Sequence, residues 1–328
     1  MAHANISIFV PHMGCKNMCS FCNQRYIAGT AEIPDEEAII DAVKTAVNTK
    51  GYDALTTEIA FFGGSFTAID RDYMVRLLEA AHTFIKDGTV SGIRISTRPD
   101  AIDEEVLSIL KNYGVTAIEL GAQSMDDQVL KMNDRGHSSL CVEKASRLIK
   151  DFGFSLGLQM MTGLYGDTDE KALSTADKII ALNPDTVRIY PTIVLQQTRL
   201  ESLYKSGEYK PQSLGEAVSL ASRLLLKFHQ NKINVIRTGL HSIDLDRYVA
   251  GPWHPAFKEL CDAEIYLNKV LDSLKEKGNY IIYVPRGETS KMTGQKRKNI
   301  EFLKQKGFNC KIKEDITLNK YEINIQGM

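Results

Sequence analysis

The feature that most constrains the fold is a series of short strands, each apolar on one face and polar on the other, separated by longer helical stretches. Residues 6–10, 58–62, 93–97, 117–122, 155–161 and 186–190 read as strands, with a further one at 234–237. Amphipathic stretches predict helices from Pro34 toward Asn48 and over 70–86, 103–113, 140–152 and 168–182. This alternation predicts an α/β fold with a parallel sheet and helical crossovers. Side chains alternate along a strand, so Arg94, Ser96 and Arg98 share one face while Ile93 and Ile95 share the other. Glu119 and Gln123 likewise oppose Ile118, Leu120 and Ala122; Ser155 and Gln159 oppose Leu156 and Leu158; Arg188, Tyr190 and Thr192 oppose Val187 and Ile189. A strand covered by helices on both faces would be apolar throughout. A full or partial β/α barrel explains the polar face as the lining of a lumen. An open doubly wound sheet is the alternative. Buried polar groups must be hydrogen-bonded, so either a large polar ligand fills the lumen or these side chains satisfy one another or water.

The 328 residues, 43% hydrophobic and 25% charged, suit a barrel-sized domain with a smaller appendage. The turn-rich run Gly251-Pro252-Trp253-His254-Pro255 places the boundary, giving units 1–250 and 251–328. In the second unit, helices at 256–277 and 291–306 and strands at 280–284, 308–312 and 321–325 predict a small α+β extension. Between Arg286 and Lys313 it carries nine Lys/Arg against two Asp/Glu. The whole chain has a net charge of only −1, so no global field dictates a nucleic-acid or membrane partner. No apolar run approaches the roughly 20 residues that span a bilayer. The first residues lack the features of a signal peptide, and a cytoplasmic location is expected.

Six cysteines in such a chain do not suggest a disulfide scaffold. Cys141, Cys261 and Cys310 are scattered and read as small core hydrophobes. Cys15, Cys19 and Cys22 instead follow the first strand with the spacing CxxxCxxC. Short spacing lets three thiolates converge on one inorganic group, and loops after barrel strands carry active sites. Four cysteines would saturate a 4Fe–4S cluster. Three leave one iron open to a substrate or cofactor. The other readings are a zinc site completed by a distant histidine such as His12, and thiols that meet by coincidence.

The triplet with an aromatic before its last cysteine, Cys19-Ser20-Phe21-Cys22, resembles the signature of the radical S-adenosylmethionine (SAM) superfamily. The strand end Phe62-Gly63-Gly64-Ser65-Phe66-Thr67 is similar to that superfamily's glycine motif. Ser96-Thr97-Arg98-Pro99-Asp100, Glu119-Leu120-Gly121-Ala122-Gln123-Ser124 and Asn133-Asp134-Arg135-Gly136-His137 resemble the branch of elongator catalytic subunits. Oxygen-independent coproporphyrinogen oxidases share part of the pattern. The resemblance covers roughly residues 5–200. It does not extend to an acetyltransferase domain, for which residues 251–328 are too few.

The resemblance implies a partial (β/α)6-type barrel with a 4Fe–4S cluster and SAM as cofactors. The cluster would reduce the sulfonium, break its S–C5′ bond and leave a 5′-deoxyadenosyl radical. Cys15, Cys19 and Cys22 would hold the cluster, and Phe21 would lie against the adenine. Gly63 and Gly64 would offer carbonyls to the methionine ammonium, with Ser65 where many members have Glu. Gln123 and Arg135 would contact SAM, Arg135 near the carboxylate that its guanidinium suits. Gln159 matches a position where the coproporphyrinogen branch uses a carboxylate for the ribose. Ser96 and Arg98 are further cofactor-binding candidates, and Glu119 and Tyr190 are candidate catalytic residues.

The expected function is radical chemistry on an unidentified substrate, with a flavodoxin- or ferredoxin-type electron donor and no membrane partner. One substrate class is RNA or tRNA, reached through the basic C-terminal unit and in particular Lys296-Arg297-Lys298. The other is a small molecule, porphyrin-like or a metabolite, entering past Tyr190, Arg188 or His241. A non-catalytic iron–sulfur redox sensor is the rival of a different kind.

Overall fold

Seven of the strands join into one parallel sheet. They are β1 (Ala4–Val10), β2 (Thr57–Gly63), β3 (Gly92–Thr97), β4 (Val115–Gln123), β5 (Ser155–Thr162), β6 (Thr186–Pro191) and, beyond the short β7 (Val194–Leu195), β8 (Asn234–Thr238). The structure is a computed structural model and describes residues 3–10, 15, 18–22, 33–240 and 245–328. His12 and His241 lie outside the described residues.

The strand order follows the sequence from β1 to β6 and then β8, and every neighbouring pair is parallel. A doubly wound sheet would reverse its order at a switch point. Among the described residues no such reversal occurs, and β1 and β8 end the sheet without pairing to each other. The sheet is therefore a curled, open partial barrel. Helices Glu36–Val47, Arg71–Lys86, Glu104–Asn112, Ser139–Asp151, Asp169–Ala181 and Leu214–Gln230 provide the crossovers. Asp35, Asp70, Asp103, Ser138, Thr168 and Ser213 each accept a backbone N–H in the first turn of the helix that follows. Removing one such cap costs about 1 kcal/mol. Ile93, Ile95, Ile118, Leu120, Leu156, Leu158, Val187 and Ile189 are buried in the main hydrophobic core, as their alternation predicts.

The lumen is divided. Toward the start of the strands the polar side chains satisfy one another. Arg94 pairs with Glu58 at 3.0 Å and with Glu119 at 3.4 Å, and Arg188 grips both oxygens of Glu119 at 2.6 and 2.8 Å. Among the described residues a cavity remains at the C-terminal level. Of the two expectations for the lumen, mutual satisfaction of the polar side chains therefore holds at the level of Arg94, Glu119 and Arg188.

The C-terminal residues build a three-stranded sheet in the order β11 (Phe308–Asp315), β10 (Gly278–Pro285), β12 (Asn324–Gly327), while β7 pairs with β9 (Tyr248–Ala250) in a separate ribbon. Helix Phe257–Ser273 packs against Leu214–Gln230, and its Phe257, Ile265 and Val270 belong to the same hydrophobic core as the barrel. Two local expectations differ. The helix predicted over 291–306 is broken into Thr289–Thr293 and Lys298–Gln305. Gly294, Lys296 and Arg297 between them adopt positive φ of 75°, 52° and 64°, outside helical backbone. The strand predicted at 321–325 starts later, because Tyr321 (φ 64°) turns inward and donates its hydroxyl to Asp262 at 2.6 Å. Among the described residues no helix is long and apolar enough to cross a membrane.

Candidate functional site

A single cavity at the C-terminal ends of the strands is bordered by Cys15, Cys19 and Cys22 and by Phe21, all from the loop after β1. Gly63, Gly64 and Ser65 reach it from the end of β2, Ser96 and Arg98 from β3, Gln123 from β4, Gln159 from β5 and Arg135 from the segment after helix Asp127–Met132. Residues up to 144 positions apart in the chain are thereby brought together by the parallel register. Met18, Thr97 and Gly121 also line the cavity, although their side chains gave no reason to select them.

Each position has a local cause. The Gly64 N–H donates to Val10 O at 2.7 Å, tying the ends of β1 and β2 together. At Gly63 (φ 109°) a Cβ would come within 2.7 Å of that same carbonyl, so only glycine fits. The Ser65 hydroxyl accepts the Arg98 N–H at 2.9 Å, linking β2 to β3. The Arg98 guanidinium is engaged by Asp100 and by Arg135 O, at 3.2 Å for the latter. Gln123 sits at φ 64° where the β4–β5 register shifts, which turns its side chain out of the regular alternation.

The cysteine loop is pinned by Asn133, which is fully buried. Ser20 donates its hydroxyl to Asn133 Oδ1 at 2.7 Å and its N–H to Asn133 O at 3.1 Å. Asn133 Nδ2 donates in turn to Val129 O at 2.8 Å and Tyr165 O at 2.9 Å. Asn133 belongs to the Asn133–His137 segment that resembles the elongator branch, yet its anchoring role requires the tertiary structure. Asn133→Ala leaves several buried groups without partners, at about 1–3 kcal/mol each. The expected result is a clear fall in thermal stability and faster loss of iron from reconstituted protein on gel filtration.

Arg135 Nη1 donates to Cys19 Sγ at 3.1 Å, and its Nη2 donates to Gly121 O at 2.6 Å. Burial and the neighbouring Cys19 push the Cys15 thiol up, against the opposing pull of Arg98 and Arg135. Burial and the nearby Arg135 push His137 down to about 4, so its imidazole is neutral at physiological pH. Two buried atoms beside the cavity, Gln123 Oε1 and Arg135 Nε, have no hydrogen-bond partner within the described protein. At Gly121 a Cβ would press to 3.0 Å from Gln123 Nε2 and 3.4 Å from Arg135 Nη2, so glycine keeps this pair accessible. An unmatched acceptor beside an unmatched cationic donor suits a zwitterionic ligand. Among the described residues no three His, Cys, Asp or Glu converge on a single metal ion. The three cysteines border the same cavity.

Glu119 and Tyr190 are placed differently. Glu119 is 1% exposed and does not line the cavity. Besides its two arginines it accepts Gln159 Nε2 at 2.9 Å. Gly157 in the neighbouring strand makes room for it, since a Cβ there would lie 2.7 Å from Glu119 Cγ. Tyr190 is two residues beyond Arg188 on the same face of β6, 3.5 Å from Arg188 Nη1, and burial holds its phenol above the ordinary value.

A model of the radical SAM superfamily matches residues 9–179, and a model of the Radical_SAM C-terminal domain matches 184–269. The tRNA uridine(34) acetyltransferase of Dehalococcoides mccartyi is 24% identical over 249 residues, covering 66% of this chain and 54% of that protein. Human Elongator complex protein 3 is 34% identical over 195 residues, covering 53% of this chain and 36% of its own length. The chain thus spans about half or less of these curated relatives. Among solved structures, archaeal Methanocaldococcus infernus Elp3 with an N-terminal deletion superposes with a TM-score of 0.65 at 21% identity, over 85% of this chain and 66% of that one. Coproporphyrinogen III oxidase from Escherichia coli gives 0.51 at 16% identity, over 70% and 53%. At these identities the two structures share the fold.

Proposed function

We propose that this chain, which belongs to the radical SAM superfamily, is an enzyme that performs adenosyl-radical chemistry on an RNA substrate. Its cofactors are those of the superfamily, a 4Fe–4S cluster and SAM. When bound, they supply a 5′-deoxyadenosyl radical by one-electron cleavage of the S–C5′ bond.

The observation that carries this reading is the convergence on one cavity of three thiols, a glycine strand end, and the unmatched Gln123 and Arg135. Cys15, Cys19 and Cys22 hold the cluster, and Arg135 donates a hydrogen bond to the Cys19 sulfur. Arg135 Nε and Gln123 Oε1 receive the carboxylate and ammonium of the methionyl group, beside the carbonyls of Gly63 and Gly64. Phe21 covers the adenine. Ser96 and Gln159 face the ribose; Glu119 fixes Gln159 Nε2, which turns the amide oxygen toward the hydroxyls. Ser65 and Arg98 brace the walls and also line the cavity, where they remain candidate cofactor contacts. Tyr190, kept protonated by burial, stands beside Arg188 of the ion-pair layer and is not among the residues lining the cavity. A flavodoxin- or ferredoxin-type donor provides the electron in the cytoplasm. The RNA assignment rests on the tRNA-directed name of one relative and on the basic segment 286–313, where Lys296, Arg297 and Lys298 are exposed.

Arg135→Ala should raise the Kd for SAM about 10- to 150-fold in calorimetric titration of reconstituted protein, the worth of one charged hydrogen bond. An unchanged Kd would remove Arg135 from the cofactor site. Perdeuterated RNA should pass deuterium to 5′-deoxyadenosine or acquire an adenosyl adduct. Absence of both signals with total cellular RNA, while SAM cleavage is intact, would overturn the RNA assignment.

A further inference from the structure

The C-terminal sheet leaves one face uncovered. Tyr280, Ile282 and Val284 of β10, with Phe308, Cys310 and Ile312 of β11 and Ile325 of β12, pack against the hydrophobic core. Strand alternation turns the intervening residues outward. Register then sets them in rows. Gln326, Ile281 and Lys311 lie side by side, and Asn324, Tyr283 and Lys313 form the next row. Asn279 and Asn309 continue the face, joined at 3.1 Å. The Tyr283 hydroxyl donates to Gln326 Oε1 at 3.3 Å, which holds the ring down across the sheet.

This face has an aromatic ring and an isoleucine in its centre strand, two exposed lysines along one edge and amides around them. Within these rows it has no carboxylate. Asp315, one row further on, accepts from Thr317 N–H and hydroxyl. Lys311 and Lys313 are about 6.6 Å apart along the strand, a spacing that suits successive phosphates on an extended backbone. An open sheet with a ring that every base can stack on, and flanking cations for phosphates, has the chemistry of a single-strand platform. An acidic protein would use the lysines but would gain little from the ring and amides.

We propose that the outward face of this sheet, centred on Tyr283 with Lys311 and Lys313, binds a single-stranded segment of RNA. It rests on the RNA-substrate reading and assigns that substrate a second contact, on a different element from Lys296-Arg297-Lys298. Both are tested on the full chain with a fluorescent oligouridine, by anisotropy over a range of salt. Tyr283→Ala should weaken binding about 5- to 150-fold, as for loss of one stacked base, and leave the salt slope unchanged. Lys311→Glu/Lys313→Glu should flatten the slope by about 1.4, the loss of two single-strand phosphate contacts. Affinity within twofold of the parent for both variants would overturn the proposal. So would loss of an acidic flavodoxin's binding in both variants while RNA binding is unchanged. An oligodeoxyuridine that binds equally well would overturn its restriction to RNA. SAM cleavage without RNA should stay at the parental rate in both variants. Its absence from the parent itself would instead refute the radical-enzyme reading, leaving the binding result to stand on its own.

Discussion

Cys19→Ala should yield a folded, colourless protein that holds background iron and forms no 5′-deoxyadenosine. Cys19 accepts from Arg135 Nη1, and it precedes Ser20, whose hydroxyl and N–H fasten the loop to buried Asn133. The anchor does not use the thiol, so the loop keeps its place when the thiol is removed. Two cysteines cannot retain a cluster that three hold, and the expected loss of iron is nearly complete. The check is iron and labile-sulfide content after anaerobic reconstitution, with a thermal melt as control for folding. Parental iron content in the variant would refute the ligand assignment.

Glu119→Ala should be the most destabilising single change in the barrel interior, by about 3–5 kcal/mol in denaturant unfolding. It would strand Arg188 and one side of Arg94 in a buried layer, each without its carboxylate. The neutral exchange of partners together, Glu119→Leu with Arg188→Met, should cost less than the sum of the single changes, because no charge is left unpaired. The same layer reaches the cofactor through Gln159. Glu119→Ala should therefore also weaken SAM binding, up to about tenfold for the misplaced amide. Gln159→Glu should weaken it as well, since it sets a second carboxylate beside Glu119. Unchanged SAM affinity in both variants would separate the ion-pair layer from the site and leave it a purely structural element.

The sequence exposes this fold where one face of each strand is coded. Ile93 and Ile95 against Arg94 and Ser96 show both the strand and the lumen, and the four strands read by that alternation, β3 to β6, lie where it puts them. Helix Leu214–Gln230 has its own capping box at Ser213 and Glu216, a signal present in the sequence itself. The break at Gly294 was less legible: Lys-Met-Thr-Gly-Gln-Lys-Arg-Lys has adequate helix propensity. The backbone leaves the helix because Gly294 packs onto buried Asn299, which donates to Ala263 O and Met292 O. The partner that buries Asn299, Ala263 O, lies 36 positions away.

The site divides in the same way. The cysteine spacing, the paired glycines and Arg135 announce themselves by residue type. Glu119 looks reactive in isolation, as a lone carboxylate on a lumen face. Only the register that brings Arg94 and Arg188 to its sides shows a buried ion pair. Gly157, which makes the space for it, reads in sequence as one more small residue in a strand. Asn133 and Ser20 meet across 113 positions, a separation at which pattern carries no information about contact.

The central claim is tested most directly by incubating anaerobically reconstituted parental protein with SAM and dithionite and chromatographing the products. Formation of 5′-deoxyadenosine, in step with cluster content and absent without reductant, is the predicted result. A fully loaded cluster that binds SAM yet releases no 5′-deoxyadenosine would contradict it.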